Sequence, residues 1–197
     1  MPDLGLIDLH DLTSRLVPTG WLDEYYRILM EQNRRVNLVS RETTRPDFDR
    51  MVGESLLPLS KITTPVGDYL DIGAGGGIPA VPILLAGAVS GRSVLVERTK
   101  KKARALNEVL DKLELTAEVI PQNFDELHNL PLFDLVTLRY VKLTSPLLEG
   151  ATKLLRQGGS FVYYGPAEGV SSDLNTLVLT FQSSQDSAVK SITIFQK

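Results

Sequence analysis

The chain has 197 residues, of which 43% are hydrophobic and 23% charged, which is enough for the core of one domain and typical of a soluble globular protein. It contains no cysteine, which excludes disulfides, zinc-thiolate sites and cysteine nucleophiles. A net charge of −3 argues against a general nucleic-acid coat protein, although local basic patches are still allowed.

The beginning of the sequence predicts neither a signal peptide nor a membrane anchor. In MPDLGLIDLHDLTSRLV, acidic residues precede the apolar ones, which is unlike the basic start of a secretory signal. No apolar run approaches the ~20 residues that a bilayer-spanning helix requires. We therefore expect a cytoplasmic protein.

Residues 1–62 are expected to form a helical N-terminal cap. The stretch WLDEYYRILMEQNRRVNLV, residues 21–39, has apolar side chains at helical spacing. A second amphipathic segment follows Pro46, a residue that suits the first turn of a helix. The turn-rich TTPVGD then separates the cap from the rest of the chain, residues 63–197.

From residue 67 onward, short apolar strands alternate with helical segments. The predicted strands are DYLDIG, SVLVE, AEVIP, FDLVTLR, SFVYYG and two more in the tail LVLTFQSSQDSAVKSITIFQ, joined by a polar turn. The predicted helices are residues 79–87, KKARALNEVLDKL and SPLLEGATKLLRQGG, the last ended by Gly158 and Gly159. This order predicts an α/β, Rossmann-like fold, with a mostly parallel seven-stranded sheet and helices on both faces.

A dense glycine cluster follows the first of these strands, in DYLDIGAGGGIPAVPILLA. Its members are Gly73, Gly75, Gly76 and Gly77. Ligands of such folds bind at the carboxyl ends of the strands, and glycine permits both positive φ angles and close approach to the backbone. We therefore predict that the cluster lines a ligand site, rather than only making a tight turn.

Two ligands remain open for this glycine loop. A phosphate-binding P-loop is excluded, because no Lys-Ser or Lys-Thr pair follows the glycines. The alanine variant of the dinucleotide fingerprint is met by Gly75, Gly77 and Ala80, with Glu97 at a suitable distance downstream. An NAD-dependent oxidoreductase is therefore one alternative.

The other ligand is S-adenosylmethionine (SAM). Methyltransferases that use it have a related loop, in which an acidic residue precedes the first glycine by two positions, as Asp71 precedes Gly73. Pro79 and Pro82 lack the amide protons with which a helix start would hold a pyrophosphate. These two prolines favour SAM.

The ends of the next two strands offer further candidate contacts. Glu97 follows the second strand, where its carboxylate could accept hydrogen bonds from both ribose hydroxyls of either cofactor, or could be an exposed charge. Phe124 and Asp125 follow the third strand, where they could cover an adenine and accept from its amine. Equally, Phe124 could pack in the core and Asp125 could cap a helix.

Four segments carry a family resemblance: YYRILMEQNRRVNLVS, LDIGAGGGIPAVPI, VERTKKKARALNEVLDKLEL and FDLVTLRYVKLTSPLLEGATKLLRQGG. Together they resemble the glucose-inhibited division protein B family, the 16S ribosomal RNA guanine-N7 methyltransferases. The resemblance implies a class I SAM-dependent methyltransferase domain at residues 63–197 that forms one structural unit with the cap. By position, the family's SAM contacts fall on Gly73, Ile78, Phe124, Asp125 and Arg139.

The chain departs from the family pattern at three places. Residues 51–55 are Met-Val-Gly-Glu-Ser where the family usually has His-x-x-Asp-Ser, Gln122–Asn123 replaces a common arginine, and Tyr164–Gly165 replaces a Lys-Gly pair. The residues lost are polar or basic ones that would face RNA or the methyl-accepting base. A relative that binds SAM or RNA without catalysis is therefore a second hypothesis.

No catalytic acid or base can be assigned from the sequence, and guanine-N7 methylation does not require one. The N7 lone pair carries no proton and the sulfonium is an activated donor, so proximity and alignment are the main needs. Arg139, at the end of the fourth strand, is expected to orient the cofactor or to hold a guanine or phosphate. The alternative is an ion pair with a neighbouring carboxylate such as Asp134.

Basic residues in the cap and beyond Glu97 are candidates for contacts with RNA phosphates, or else form solvated helix faces. The chief candidates are Arg34, Arg98, Lys100 and Lys101. The expected partner is 16S ribosomal RNA or the small ribosomal subunit, bound by a monomer without a membrane or a metal ion. The two histidines have no metal-ligand spacing around them.

Overall fold

Strands and helices alternate along most of the chain in the computed structural model, which describes residues 5–183 and 188–197. The strands are β1 Gly5–Ile7, β2 Tyr69–Ile72, β3 Ser93–Val96, β4 Glu118–Ile120, β5 Phe133–Leu138, β6 Leu155–Tyr163, β7 Asn175–Ser183 and β8 Val189–Gln196. The helices are α1 Leu9–Leu16, α2 Trp21–Asn33, α3 Arg45–Leu56, α4 Ala80–Leu85, α5 Lys100–Lys112 and α6 Ser145–Lys153. Within the described ranges, no helix combines the length and apolar character needed to cross a bilayer.

The strands form one sheet in the order β1-β7-β8-β6-β5-β2-β3-β4. Neighbours from β6 to β4 are parallel, whereas β8 is antiparallel to both β6 and β7. The seven strands β2 to β8 confirm the predicted Rossmann-like sheet with its closing hairpin. The polar turn predicted between β7 and β8 falls on residues 184–187, outside the described residues. Because β2, β3 and β5 are adjacent and parallel, their carboxyl ends meet at one edge.

The eighth strand, β1, corrects the prediction that residues 1–62 are helical. It pairs in parallel with the outer edge of β7. Asp8 follows it directly and starts α1, because its carboxylate accepts hydrogen bonds from the amides of His10 and Asp11, each at 3.0 Å. The cap therefore begins with a short strand that extends the sheet, and its helices follow.

The glycine pair Gly158–Gly159 does not end α6, which is a second correction. Helix α6 ends at Lys153, and the two glycines lie inside β6, where the register against β5 shifts. Gly158 has a φ of +80°, and a Cβ on Gly159 would lie 3.0 Å from the backbone oxygen of Arg156. The pair makes a β-bulge, a use of glycine that resembles a helix end when only the sequence is considered.

Helix α2 is also shorter than the predicted segment 21–39, because Asn33 ends it. The buried Oδ1 atom of Asn33 accepts hydrogen bonds from the amides of Leu38, at 2.7 Å, and Val39, at 3.0 Å. A side-chain oxygen that bonds the following backbone competes with continued helix. The chain turns here, and Leu38 is brought against the glycine loop.

The helical cap packs onto the sheet through one continuous apolar core. Tyr25 of α2 and Phe48 of α3 are fully buried, and their rings meet edge-on with centroids 5.2 Å apart. The same buried cluster includes Val81 of α4, Leu106 of α5 and Leu135 of β5. A second cluster lies on the opposite face of the sheet, under α6. The cap therefore shares its core with the sheet domain.

We expect the cap and the sheet domain to unfold in one transition. Trp21 is the only tryptophan in the sequence and begins α2, so its fluorescence reports on the cap, whereas far-ultraviolet circular dichroism reports on the whole chain. In urea both signals should have the same midpoint. Phe48→Ala should lower both midpoints together, because deleting a buried aromatic ring costs about 3–5 kcal/mol. A fluorescence midpoint clearly below that of circular dichroism would show that the cap unfolds separately.

Candidate active site

A cavity of about 950 Å³ opens at the carboxyl ends of β2, β3 and β5. Its wall is formed mainly by residues 37–40, 73–76, 96–99, 122–125 and 139–141. The first of these segments belongs to the cap, and the others follow successive strands of the sheet. The cavity therefore lies at the junction of the two units, where the topology predicts a ligand site.

The first glycines of the loop present bare backbone to this cavity. Gly73 and Gly75 have φ angles of +77° and +54°, which few residues other than glycine adopt. A Cβ on Gly73 would lie 3.1 Å from a methyl group of Val141 across the cavity wall. The amides of Gly73 and Ala74 both donate to the oxygen of Val96, at 2.8 and 2.9 Å, which ties the loop to the end of β3.

The last two glycines serve the packing of the cap. The backbone oxygen of Gly76 accepts a hydrogen bond from the Tyr25 hydroxyl at 2.9 Å, and a Cβ on Gly76 would lie 3.0 Å from Leu29. Gly77, predicted as a cofactor contact, faces the core: its Cβ would lie 2.6 Å from Val81. Ile78, also predicted, lines the cavity.

Glu97 is buried at the end of β3 and holds the loop with both carboxylate oxygens. Oε2 accepts from the amide of Gly75 at 3.1 Å, and Oε1 accepts from the amide of Thr99 at 2.7 Å. The alternative that Glu97 is only an exposed charge is therefore wrong. An ionised carboxylate has about four acceptor sites, so each oxygen can take one further donor from the cavity. Two adjacent ribose hydroxyls match this remaining capacity.

Phe124 and Asp125 lie in a short 3-10 turn, Phe124–Glu126, on the cavity wall opposite the cap. Phe124 is half-buried, and its ring would lie 3.4 Å from a Cβ placed on Gly150 of α6. Asp125 is exposed. The Phe124 ring thus packs on α6 and also borders the cavity. Packing in the protein and contact with a ligand, the two roles considered for Phe124 from the sequence, are therefore compatible.

Asp71 lies at the end of β2 and is only 1% exposed. Its Oδ1 atom accepts from the hydroxyl of Thr137 at 2.6 Å, and Thr137 is 2.7 Å from the Tyr69 hydroxyl. Oδ2 has no hydrogen-bond partner in the structure. Burial raises the pKa of Asp71 to about 7; Thr137 and Arg139 oppose this shift and Glu97 adds to it.

Arg139 turns its guanidinium toward helix α3 of the cap. Although it lines the cavity, it is only 5% exposed. Nη2 donates to Oε2 of Glu54, and Nη1 donates to the oxygen of Met51 at 2.9 Å and to Oγ of Ser55 at 3.0 Å. Asp134, named as a possible partner from the sequence, instead pairs with Arg156 at 2.6 Å. Arg139 is therefore in a structural ion pair, but with a carboxylate from the cap.

Glu54 binds three cations from different parts of the chain. Besides Arg139, its carboxylate accepts from Arg50 at 3.1 Å and from Lys190 of β8 at 2.8 Å. Burial raises the pKa of Glu54, but the three cations outweigh burial and the net pKa is lowered. Glu54–Ser55 occupies the Asp-Ser position of the family pattern, so a carboxylate and a hydroxyl are retained there.

Tyr140 and Tyr164 flank the Arg139 guanidinium, at 4.8 and 5.2 Å from their ring centroids. The Tyr164 hydroxyl donates to the oxygen of Ser55 at 2.7 Å, which adds a second link between the sheet and α3. Tyr140, in contrast, projects from the protein surface: it lines the cavity, is 73% exposed and has a positive φ of 59°. The sequence marks Tyr164 only as a departure from the family pattern and does not mark Tyr140, because the Arg139 contact that the two tyrosines share is formed only by the fold.

The predicted RNA contacts are divided between the cavity and the surrounding surface. Arg98 is exposed and lines the cavity, next to Lys102, which also lines it. Lys100 and Lys101 are exposed in the first turn of α5, and Arg34 is exposed just after α2. Among the described residues, no group of three or more potential metal-ligating side chains is close enough to hold a metal ion.

Comparison with known sequences decides the family. The sequence profile of the family described as rRNA small subunit methyltransferase G matches residues 20–194. The chain belongs to this family. It is 33% identical over 144 residues to a ribosomal RNA small subunit methyltransferase G of Helicobacter pylori (strain J99), an alignment that covers 73% of this chain and 79% of the relative.

Other methyltransferase G relatives show the same range of similarity. The protein of that name from Chlorobium chlorochromatii is 33% identical over 143 residues, which cover 72% of this chain and 60% of the relative. These matches confirm the family resemblance that the sequence motifs indicated.

Solved structures confirm the class I SAM-dependent methyltransferase fold of this methyltransferase G family member. An O-methyltransferase from Bacillus cereus, solved with S-adenosylhomocysteine (SAH), superposes with a TM-score of 0.66 at 16% identity, covering 95% of this chain and 96% of its own. The N-methyltransferase NodS from Bradyrhizobium japonicum gives a TM-score of 0.59 at 16% identity, covering 89% and 99%.

We expect Asp71 to make this protein less stable as the pH rises. Between the unfolded pKa of about 4 and the folded pKa of about 7, the folded state retains a proton that the unfolded state has lost. This contribution is present below pH 4 and is lost as the pH rises through 7, up to a total of about 4 kcal/mol at 1.36 kcal/mol per pKa unit. Asp71→Asn does not titrate.

Urea unfolding of both proteins at pH 5, 6, 7 and 8 measures this effect. The free energy of unfolding of Asp71→Asn should rise relative to the wild type at each step from pH 5 to pH 7, because all other titrating groups cancel in the comparison. A difference between the two proteins that is the same at every pH would show that Asp71 is ionised throughout.

Proposed function

We propose that this protein transfers a methyl group from SAM to N7 of a guanine in the RNA of the small ribosomal subunit. The observation that carries the proposal is the cavity wall in which the bare backbone of Gly73 and Gly75 lies beside the Glu97 carboxylate. Membership of the methyltransferase G family supports the choice of substrate. The sequence further predicts a cytoplasmic monomer.

The loop fits SAM better than a dinucleotide. The start of α4 offers little to a pyrophosphate, since Pro79 and Pro82 have no amide proton and the amide of Val81 already donates to Gly77 at 2.6 Å. The whole helix is six residues long. Glu97 could accept from the ribose of either cofactor, so the preference for SAM rests on the two prolines and the short helix.

The chain's own residues bind and align the two reactants. SAM, when bound, supplies an activated methyl group on its sulfonium. The Glu97 carboxylate accepts from the ribose hydroxyls, Phe124 and Asp125 border the adenine, and the Gly73 backbone admits the tail of the cofactor. Guanine N7 carries no proton, so no side chain has to remove one; the protein contributes proximity and a fixed orientation.

Exposed basic residues support an RNA substrate. Arg98 and Lys102 lie at the cavity, and Lys100 and Lys101 extend the positive charge outward along the first turn of α5. Four cations within five residues attract a phosphate backbone toward the opening without reading its sequence.

A relative that binds without catalysing is the second candidate, and Met51 is the observation that favours it. This side chain lines the cavity on the cap wall where the family usually has a histidine, so a polar contact with the substrate is replaced by an apolar one. Such a protein would bind SAM and small subunits but transfer no methyl group.

The experiment that separates these candidates measures 7-methylguanosine in ribosomal RNA. We expect cells lacking the gene to lose one 7-methylguanosine from 16S ribosomal RNA by mass spectrometry, and a plasmid-borne copy to restore it. Purified protein should transfer labelled methyl from SAM to small subunits from the deletion strain. Binding of both reactants with no transfer and no missing modification would favour the non-catalytic candidate.

We expect Glu97→Gln to weaken SAM binding about 10- to 100-fold, because hydrogen bonds to a charged acceptor are worth about 1.5–3 kcal/mol. Isothermal titration calorimetry measures the change. Glu149→Gln, on the exposed face of α6, is the matched control and should bind SAM like the wild type. Because Glu97 also holds two amides, thermal unfolding must confirm that the variant is folded. A folded variant with unchanged affinity would contradict the role of Glu97.

A further inference from the structure

Tyr140 combines features that packing does not explain. Its side chain borders the cavity, yet the residue is 73% exposed, the highest value among the large apolar or aromatic residues that the described structure leaves exposed. Its φ angle of 59° is in the left-handed region, where a bulky side chain is a clear outlier. Exposed aromatic rings and strained backbones both cost free energy, and neither is offset here by burial.

The ring is nevertheless held in a fixed position. Its neighbour Arg139 lies with its guanidinium 4.8 Å from the ring centroid, and that guanidinium is itself fixed by Glu54, Met51 and Ser55 of α3. The cation covers one side of the ring. Since most of the residue remains exposed, the other side is open toward the cavity mouth.

The Tyr140 ring lines the same cavity as the glycine loop, so it is placed to contact a methyl-accepting base that faces the cofactor. The next residue, Val141, has a methyl group 3.1 Å from where a Cβ of Gly73 would lie. Tyr140 is therefore the sequence neighbour of a residue that contacts the glycine loop. A purine stacked on the ring would lie in a plane set by that ring, and N7 is in the plane of the purine. Stacking therefore fixes the plane in which the N7 lone pair lies, and contacts at the edge of the base set its direction within that plane.

We propose that Tyr140 is a substrate-positioning residue whose ring stacks on the methyl-accepting guanine. The inference rests on the proposed function and adds the residue that orients its substrate. A base that is modified in this cavity has to enter it, and where the base gives up stacking to do so, an aromatic ring replaces part of that stacking. The Tyr140 backbone is strained because the ring must stand out from the wall instead of packing into it.

The test compares Tyr140→Phe, Tyr140→Trp, Tyr140→Ala and Tyr140→Gly. The substrate is small ribosomal subunits from the deletion strain, and initial rates of labelled methyl transfer give kcat and KM for the subunits. Base–aromatic stacking corresponds to roughly 5- to 150-fold in affinity. We expect Ala and Gly to lower kcat/KM by about tenfold or more, while Phe and Trp stay within about threefold of the wild type. SAH affinity, measured by calorimetry, should stay within about twofold in all four variants.

The Gly variant separates the ring from the backbone, because glycine adopts a positive φ without strain. If activity returned in Tyr140→Gly but not in Tyr140→Ala, the backbone and not the ring would matter, and the stacking role would be overturned. Leu132→Ala, an exposed apolar residue just before the opposite end of β5, is the matched control and should behave like the wild type.

The remaining outcomes are distinct. A wild type that transfers methyl groups while Tyr140→Ala keeps its kcat/KM within twofold would overturn the stacking role and leave the proposed function intact. A large loss of SAH affinity in Tyr140→Ala would also overturn it, since the ring would then serve the cofactor. A wild type that binds SAH but transfers nothing would overturn the proposed function, and the stacking role with it.

Discussion

The ion pair between Arg139 and Glu54 is the contact that makes one site out of two structural units. Arg139 ends a central strand of the sheet, and Glu54 lies in a cap helix more than eighty residues earlier in the chain. Both are buried: without Glu54, Arg139 would lose the carboxylate that it pairs with, and without Arg139, Glu54 would keep only Arg50 and Lys190. The same guanidinium sets the positions of Tyr140 and Tyr164. The cavity wall formed by the cap is therefore fixed relative to the wall formed by the strand ends.

The glycine loop lies between the cavity and the protein core, so its conformation depends on how the cap is packed on the sheet. Toward the cavity, its backbone is bare where a cofactor would lie. Away from the cavity, Gly76 receives the Tyr25 hydroxyl and leaves room for Leu29 of the cap, and Gly77 is packed against Val81 of α4. Glycines that look like one motif in the sequence therefore meet two separate steric demands. A side chain added at Gly76 would push against Leu29 of α2, and a side chain added at Gly77 would push against Val81 of α4.

Much of the architecture follows from sequence patterns, because strand and helix periodicity and the loop after the first strand are local signals. The seven-stranded sheet, the cavity at its carboxyl edge and the placement of Glu97 and Phe124 beside it agree with those patterns. Two predictions made from local sequence signals were wrong. Gly158–Gly159 forms a bulge instead of a helix end, and residues 5–7 form a strand because the edge of β7, far along the chain, is available for pairing.

The contacts around Arg139 could not be predicted, for a different physical reason. Glu54, Tyr164 and Lys190 are brought together only by the tertiary fold, across separations of up to 136 residues, and no spacing in the sequence links them to one another. Compared with the family pattern, position 164 shows the loss of a lysine, whereas position 54 keeps a carboxylate. In the structure they are contacts that hold an arginine in place, which is a question of geometry and not of residue type.

The order of the strands has a consequence for biosynthesis. Strand β8 follows β7 in the chain yet lies between β6 and β7, and β1 pairs only with β7. Neither β7 nor β1 can join the sheet before β8 has left the ribosome and inserted beside β6. Lys190, which completes the charge balance at Glu54, is part of that same insertion. Until β8 is in place, the sheet lacks the strand that joins β6 to β7, and Glu54 lacks its contact with Lys190.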